Sequence, residues 1–150
     1  MKSRPAKPRS SEGTGGPQPP AEAKEPFTVM IVDDVQDIRD LYERYFELEG
    51  ARAITASDGV SALQVVLFQR PDVIVLDFAM PQITGVDVIR SLKGDDRTRS
   101  IPVVVVSGQH DVRASALEAG ADAYIQKPVL PQKLLAEVRR AMRDSAQKRA

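Results

Sequence analysis

The chain has 150 residues, 42% of them apolar, enough for one domain with a single buried core. Its 21 basic and 21 acidic residues cancel, so no overall field recruits nucleic acid or an anionic membrane surface. It has no cysteine, which removes disulfides, thiolate metal sites and cysteine nucleophiles together, and it has neither a bilayer-length apolar run nor the apolar core of a signal peptide. A cytoplasmic location is the expectation, with neither nucleic acid nor membrane as a partner.

Residues 1–26 hold six of the eleven prolines and three of the nine glycines, with no aromatic or branched aliphatic side chain. Such a stretch cannot bury enough apolar surface to offset its ordering entropy, and a disordered tail is expected there. A folded unit is expected over residues 27–147, followed by a short C-terminal end at 148–150.

From Phe27 onward, short apolar runs alternate with stretches of helical period. FTVMIV (27–32) is the first strand. Val35, Ile38, Leu41, Tyr42, Tyr45 and Leu48 follow at helical spacing up to Gly50. ARAIT (51–55) is the second strand, and Leu63, Val66 and Leu67 mark the next helix before Pro71. DVIVL (72–76) precedes a stripe of Val86, Ile89 and Leu92, and IPVVVV (101–106) precedes a weaker helical stretch from Val112 to Ala119. ADAYI (121–125) is the fifth strand, and Leu134, Leu135, Val138, Ala141 and Met142 form the last stripe. Three runs are nearly continuous in Val, Ile and Leu, as strands covered on both faces of a parallel sheet are. Five βα repeats predict right-handed crossovers and an open, doubly wound α/β fold with a five-stranded parallel sheet.

In such sheets chemistry gathers beyond the carboxyl ends of the strands. Those ends carry Asp33 and Asp34, then Asp77, Ser107 and Lys127; the second strand offers only Ser57 and Asp58. Each has an ordinary structural reading. Asp34 and Asp58 can cap helices, Asp77 can hold a turn, Ser107 before Gly108 is common loop chemistry, and Lys127 can be held extended by Pro128. Their convergence on one edge is what sets them apart.

Two carboxylates about 4 Å apart repel by roughly 4 kcal/mol at an effective dielectric of about 20, so three together require protonation or a cation. Oxygen donors without Cys or His suit Mg²⁺, which keeps waters that a phosphate can displace. A carboxylate beside such an ion, faced by a hydroxyl and a lysine, is equipped to attack phosphorus. Asp77 is therefore expected to be a phosphoryl acceptor.

The stretches MIVDD (30–34), VIVLDFAMP with Gly85 (73–85), IPVVVVSG (101–108) and ALEAGADAYIQKP (116–128) resemble the receiver domain of two-component response regulators. The 43, 30 and 20 residues separating Asp34, Asp77, Ser107 and Lys127 suit that family too. The resemblance implies a flavodoxin-like strand order of 2-1-3-4-5. It implies that Asp77 accepts phosphate from a histidine kinase or histidine phosphotransfer protein. Mg²⁺ would be held by Asp34, Asp77 and the backbone carbonyl of Ala79, with Asp33 helping directly or through waters. Ser107 and Lys127 would contact the phosphoryl oxygens, and a cis bond would precede Pro128. Ser107 and Tyr124 would form a switch to a downstream protein target at the fourth helix, fifth strand and fifth helix. Ala79 and Gln109 would tune hydrolysis of the phosphoryl group.

Two departures from the usual pattern stand out. Ser107 takes the place of the commoner threonine, and Leu130 stands where a capping side chain is common, with Pro131 able to start the helix without one. Only about twenty residues follow Pro131, so a stand-alone receiver is expected, one that accepts and loses phosphate rather than turning over as an enzyme. The alternatives are a receiver-like interaction module that is not phosphorylated and the receiver fragment of a longer regulator with a missing output domain. A Mg²⁺-dependent phosphatase is weaker still, because the general acid such enzymes carry two residues after the nucleophile is here Ala79.

Overall fold

Strands that are buried on both faces force helices onto both sides of their sheet, and the central strands here are of that kind. In the computed structural model, which describes residues 25–80 and 83–149, every residue of β3 (Val73–Asp77) and β4 (Val103–Ser107) is buried. β1 (Thr28–Val32) is buried from Val29 onward, and β2 (Arg52–Ala56) and β5 (Ala123–Gln126) are the half-buried edges. All neighbours pair in parallel in the order β2-β1-β3-β4-β5. The crossovers are α1 (Gln36–Leu48), α2 (Gly59–Gln69), α3 (Gly85–Lys93) and α4 (Arg113–Ala119), and α5 (Pro131–Arg149) closes the chain. The expected fold class is the observed one.

Alternation along each strand divides the core in two. Met30, Val32, Ile74, Leu76, Val103 and Val105 pack with Ala62 and Val66 of α2, Val88, Ile89 and Leu92 of α3, and Ala116 of α4. Val29, Ile31, Val73, Val75, Val104 and Val106 pack with Tyr42 and Phe46 of α1 and with Leu134, Leu135, Val138 and Ala141 of α5. Two layers of helices thus sandwich one sheet. All five strands consequently end at the same edge.

Several boundaries differ from expectation. β3 and β4 run one residue further than the apolar runs, because Asp77 and Ser107 still pair with Val106 and Gln126 in the parallel ladder. β4 begins at Val103 because Pro102 has no N–H to give; its carbonyl accepts from Ile74 N instead. Val35 before α1 and Leu41 and Leu48 within it are exposed at 48%, 51% and 74%, whereas Phe46 is fully buried. The real stripe is Ile38, Tyr42, Tyr45 and Phe46, one helical phase away from part of the expected one. The tail expected over residues 1–26 lies outside the described residues except for its last two, as does Pro81.

Among the described residues no helix is long and apolar enough to cross a membrane. At the edge away from the carboxyl ends, the Lys93 ammonium donates to the carbonyls of Arg99 and Ile101 and to Asp122 Oδ2 at 2.9 Å. Asp122 also accepts from Val103 N, so one ion pair fixes where α3, β4 and β5 begin or end.

Candidate functional site

Because the strands are parallel, β1, β3, β4 and β5 deliver Asp33, Asp77, Ser107 and Lys127 to one end of the sheet. Asp33 follows β1 directly, and its N–H donates to the Ala56 carbonyl at 3.2 Å. Its Oδ1 accepts from Val35 N at 2.9 Å, while Arg39 of α1 donates to its carbonyl at 2.8 Å. The entry to α1 is therefore held by Asp33. The helix-capping role open to Asp34 is not used, since α1 has no side-chain cap and Val35 occupies the cap position. Asp34 stays exposed, free to face a ligand. Asp58 does cap α2, its Oδ1 accepting from Ser61 N at 2.7 Å.

Asp77 is the final residue of β3 and is 7% exposed. Its Oδ1 accepts from Ala79 N at 3.2 Å. The turn that follows is drawn tight, with Phe78 N donating to the Val106 carbonyl and the Phe78 ring lying across the start of α3. A Cβ on Gly85 would stand 2.5 Å from that ring, which accounts for glycine at this position. Burial pushes the Asp77 carboxyl above the usual carboxylate range; the Ala79 N–H and Lys127 pull against this, and the charges of Asp33 and Asp34 add to it.

Lys127 Nζ stands 3.4 Å from Asp33 Oδ2 and 3.8 Å from Asp77 Oδ1. Its backbone N–H donates to the Ser107 carbonyl at 2.8 Å, and the Lys127–Pro128 bond is cis, as the resemblance implied. α5 starts at Pro131, and the Leu130 carbonyl accepts its first helical hydrogen bond, from Leu134 N. Carboxylate oxygens of Asp33, Asp34 and Asp77 all lie within 4.8 Å of one another. Three carboxylates so close, two of them buried and faced by one ammonium, leave negative charge that a hard divalent cation compensates. The residues fit Mg²⁺.

Ser107 is fully buried, and its hydroxyl accepts from Gln109 N at 3.0 Å. The carbonyl of the same Gln109 accepts from the Tyr124 hydroxyl at 2.8 Å. Gln109 thus joins the serine to the tyrosine through its main chain. That link could not be read from side-chain identities. The Arg113 guanidinium lies 5.7 Å from the centre of the Tyr124 ring, a cation–π contact that also went unforeseen because the pair is eleven residues apart on different elements. His110 lies in the β4–α4 loop and pairs with Gln126 at 2.8 Å.

The family described as the response regulator receiver domain matches residues 29–139. Among curated proteins, the chain is 35% identical over 118 residues to the phosphate regulon transcriptional regulatory protein PhoB of Pseudomonas aeruginosa, covering 77% of this chain and 52% of that protein. It is 41% identical over 117 residues to the transcriptional regulatory protein PrrA of Mycobacterium tuberculosis, covering 77% and 49%. The chain spans about half the length of the curated relatives it matches. Among solved structures, the chemotaxis response regulator CheY4 of Vibrio cholerae superimposes with a TM-score of 0.73 at 26% identity, covering 78% of this chain and 99% of that one. A receiver domain of a signal transduction histidine kinase from Syntrophus aciditrophicus gives 0.73 at 30% identity, covering 79% and 91%. With the family matched over most of its length and with this sheet order and acidic edge, the chain belongs to the response regulator receiver domain family.

Proposed function

We propose that this receiver accepts a phosphoryl group on Asp77 from a histidine kinase or histidine phosphotransfer protein. The observation that carries this reading is the single nucleophilic carboxylate at the end of β3, within 3.8 Å of Lys127 and clustered with Asp33 and Asp34. A carboxylate oxygen of Asp77 attacks the phosphorus of a phosphohistidine. The P–O bond forms as the P–N bond breaks, and the imidazole leaves with a proton from water. Lys127 and the Ser107 hydroxyl are the donors within the cleft for the phosphoryl oxygens. Asp34, Asp77 and the carbonyl of Ala79 would hold Mg²⁺, with Asp33 assisting, and the ion supplies charge neutralisation at the phosphoryl oxygens. The product is an acyl phosphate that later loses phosphate to water, so the chain is a signalling switch rather than a turnover enzyme. We place it in the cytoplasm with its kinase.

A small phosphodonor should add one phosphoryl group per chain, and only with a divalent cation present. Intact-mass spectra test this; full labelling in chelator would overturn it. At hydrolysis we assign tuning roles to the exposed Ala79, which has no polar group to orient a water, and to Gln109, which has one. Decay of phosphoprotein should therefore change in Ala79→Asn and slow in Gln109→Ala, and unchanged time courses in both would remove these side chains from the mechanism.

The signal is expected to leave through Ser107 and Tyr124 toward a protein target at α4, β5 and α5. Any movement of the Ser107 hydroxyl toward a phosphoryl oxygen gives up its bond from Gln109 N, and the same residue's carbonyl holds Tyr124. Beryllofluoride with Mg²⁺ should shift amide resonances across residues 107–140 more than those of α1 and α2. Changes limited to Asp33, Asp34, Asp77 and their neighbours would contradict a switch.

A further inference from the structure

Asp33 has a partner for every polar group it carries. Its N–H donates to the Ala56 carbonyl at 3.2 Å, its Oδ1 accepts from Val35 N at 2.9 Å, and its Oδ2 stands 3.4 Å from Lys127 Nζ. Its carbonyl accepts from Arg39 Nη1 at 2.8 Å. The two carboxylate bonds use the same oxygens that a divalent cation would need. The two main-chain bonds do not, and of these only the one from Arg39 comes from a side chain.

That carbonyl belongs to the peptide joining Asp33 to Asp34. A peptide unit is planar, so holding the direction of its C=O constrains how the Cα atoms on either side are turned, and with them where both carboxylates point. Asp34 is exposed and does not cap α1, so the main chain is what places it. Arg39 is half-buried near the start of α1, and helical side chains lean toward the N-terminus, which carries its guanidinium back over the loop. Glu43, one turn further on, offers an oppositely charged partner. Yet among the described residues Arg39 pairs with no carboxylate and bonds only to the Asp33 carbonyl. Unlike Lys127, it occupies none of the three clustered carboxylates.

We propose that Arg39 is a positioning residue of the metal site, holding the Asp33–Asp34 peptide so that both carboxylates stay aimed toward Asp77 and Mg²⁺ binds more tightly. This rests on the reading that Asp34 and Asp77 hold Mg²⁺ with Asp33 assisting, and extends it to a side chain that touches neither metal nor phosphoryl group. The sign of the effect separates positioning from charge. Removing a nearby cation by itself raises affinity for Mg²⁺, whereas releasing the peptide lowers it.

Calorimetric titration of the full 150-residue chain with Mg²⁺ reads that sign. Arg39→Met keeps most of the stem and loses the donors and the charge. It should weaken Mg²⁺ binding by about tenfold, the size of effect found when a hydrogen-bond partner behind a metal ligand is removed. Arg39→Lys keeps a donor and should bind Mg²⁺ more tightly than Arg39→Met. Amide exchange at Asp34 and Val35, measured in chelator, should quicken in Arg39→Met. Labelling slowed at limiting Mg²⁺ should recover as Mg²⁺ is raised. Circular dichroism checks folding, and Arg39→Gln gives the same reading with a more polar side chain. Mg²⁺ binding in folded Arg39→Met or Arg39→Gln that equals or exceeds the parent's overturns the proposal, as does labelling that stays slow at saturating Mg²⁺. A parent chain labelled on Asp77 while folded Arg39→Met binds Mg²⁺ normally refutes the positioning role alone. A parent that binds Mg²⁺, is weakened by Arg39→Met and takes no phosphoryl group refutes the acceptor alone.

Discussion

Asp77→Asn should abolish phosphodonor labelling while leaving the fold intact. The amide has the shape of the carboxylate, and its oxygen can still accept from Ala79 N, so the turn after β3 keeps its hydrogen bond. What it lacks is a nucleophilic oxyanion. Neither neighbour can replace it. Asp33 is 4% exposed and committed to Val35 N and Lys127, and Asp34 is exposed, while the Lys127 ammonium pairs with Asp33 and Asp77. Incorporation should fall below the detection limit of intact-mass spectra, whereas labelling equal to the parent chain would move the acceptor elsewhere. Removing one of three clustered charges should also weaken Mg²⁺ binding, which a metal titration reads separately.

Lys127→Met should slow labelling of Asp77 by about a hundredfold or more at saturating Mg²⁺, the size of effect seen when one preorganised donor is removed from a reacting oxyanion. Methionine keeps most of the stem but carries no ammonium. Mg²⁺ affinity should move the other way, staying level or rising, because a cation within 3.4 Å of Asp33 and 3.8 Å of Asp77 repels the metal from the same carboxylates. The opposed signs distinguish this role from a structural one. A lysine that only held β5 in place would, on removal, lower affinity and rate together. Labelling rates and metal titrations on the same preparation decide between the two.

Residue pattern made the sheet legible because burial on both faces leaves an unmistakable signal: Val73–Leu76 and Val103–Val106 are unbroken apolar runs, and the structure buries all of them. The acidic edge was legible for a related reason, since Asp77 and Ser107 interrupt such runs at their carboxyl ends. α1 was harder. Nearly every position from Ile38 to Leu48 that is not charged is apolar or aromatic, so helical period alone admits two overlapping stripes, and the sheet selects the one containing Tyr42 and Phe46. Asp34 was ambiguous between cap and ligand because both roles favour the same residue; only the backbone at Val35 separates them. The Ser107–Gln109–Tyr124 link runs through main-chain atoms, and the Arg113–Tyr124 contact depends on how α4 lies beside β5. Neither leaves a mark in residue type.

The most direct test of the acceptor is chemical trapping. Borohydride reduces an aspartyl phosphate to homoserine, releasing phosphate, so protein labelled with a small phosphodonor in Mg²⁺, reduced and digested, records the site in a peptide mass. Homoserine at position 77 and at no other aspartate is the expected result. Homoserine at position 33 or 34, or an acid-stable phosphate on Ser107 with Asp77 unreduced, would contradict it.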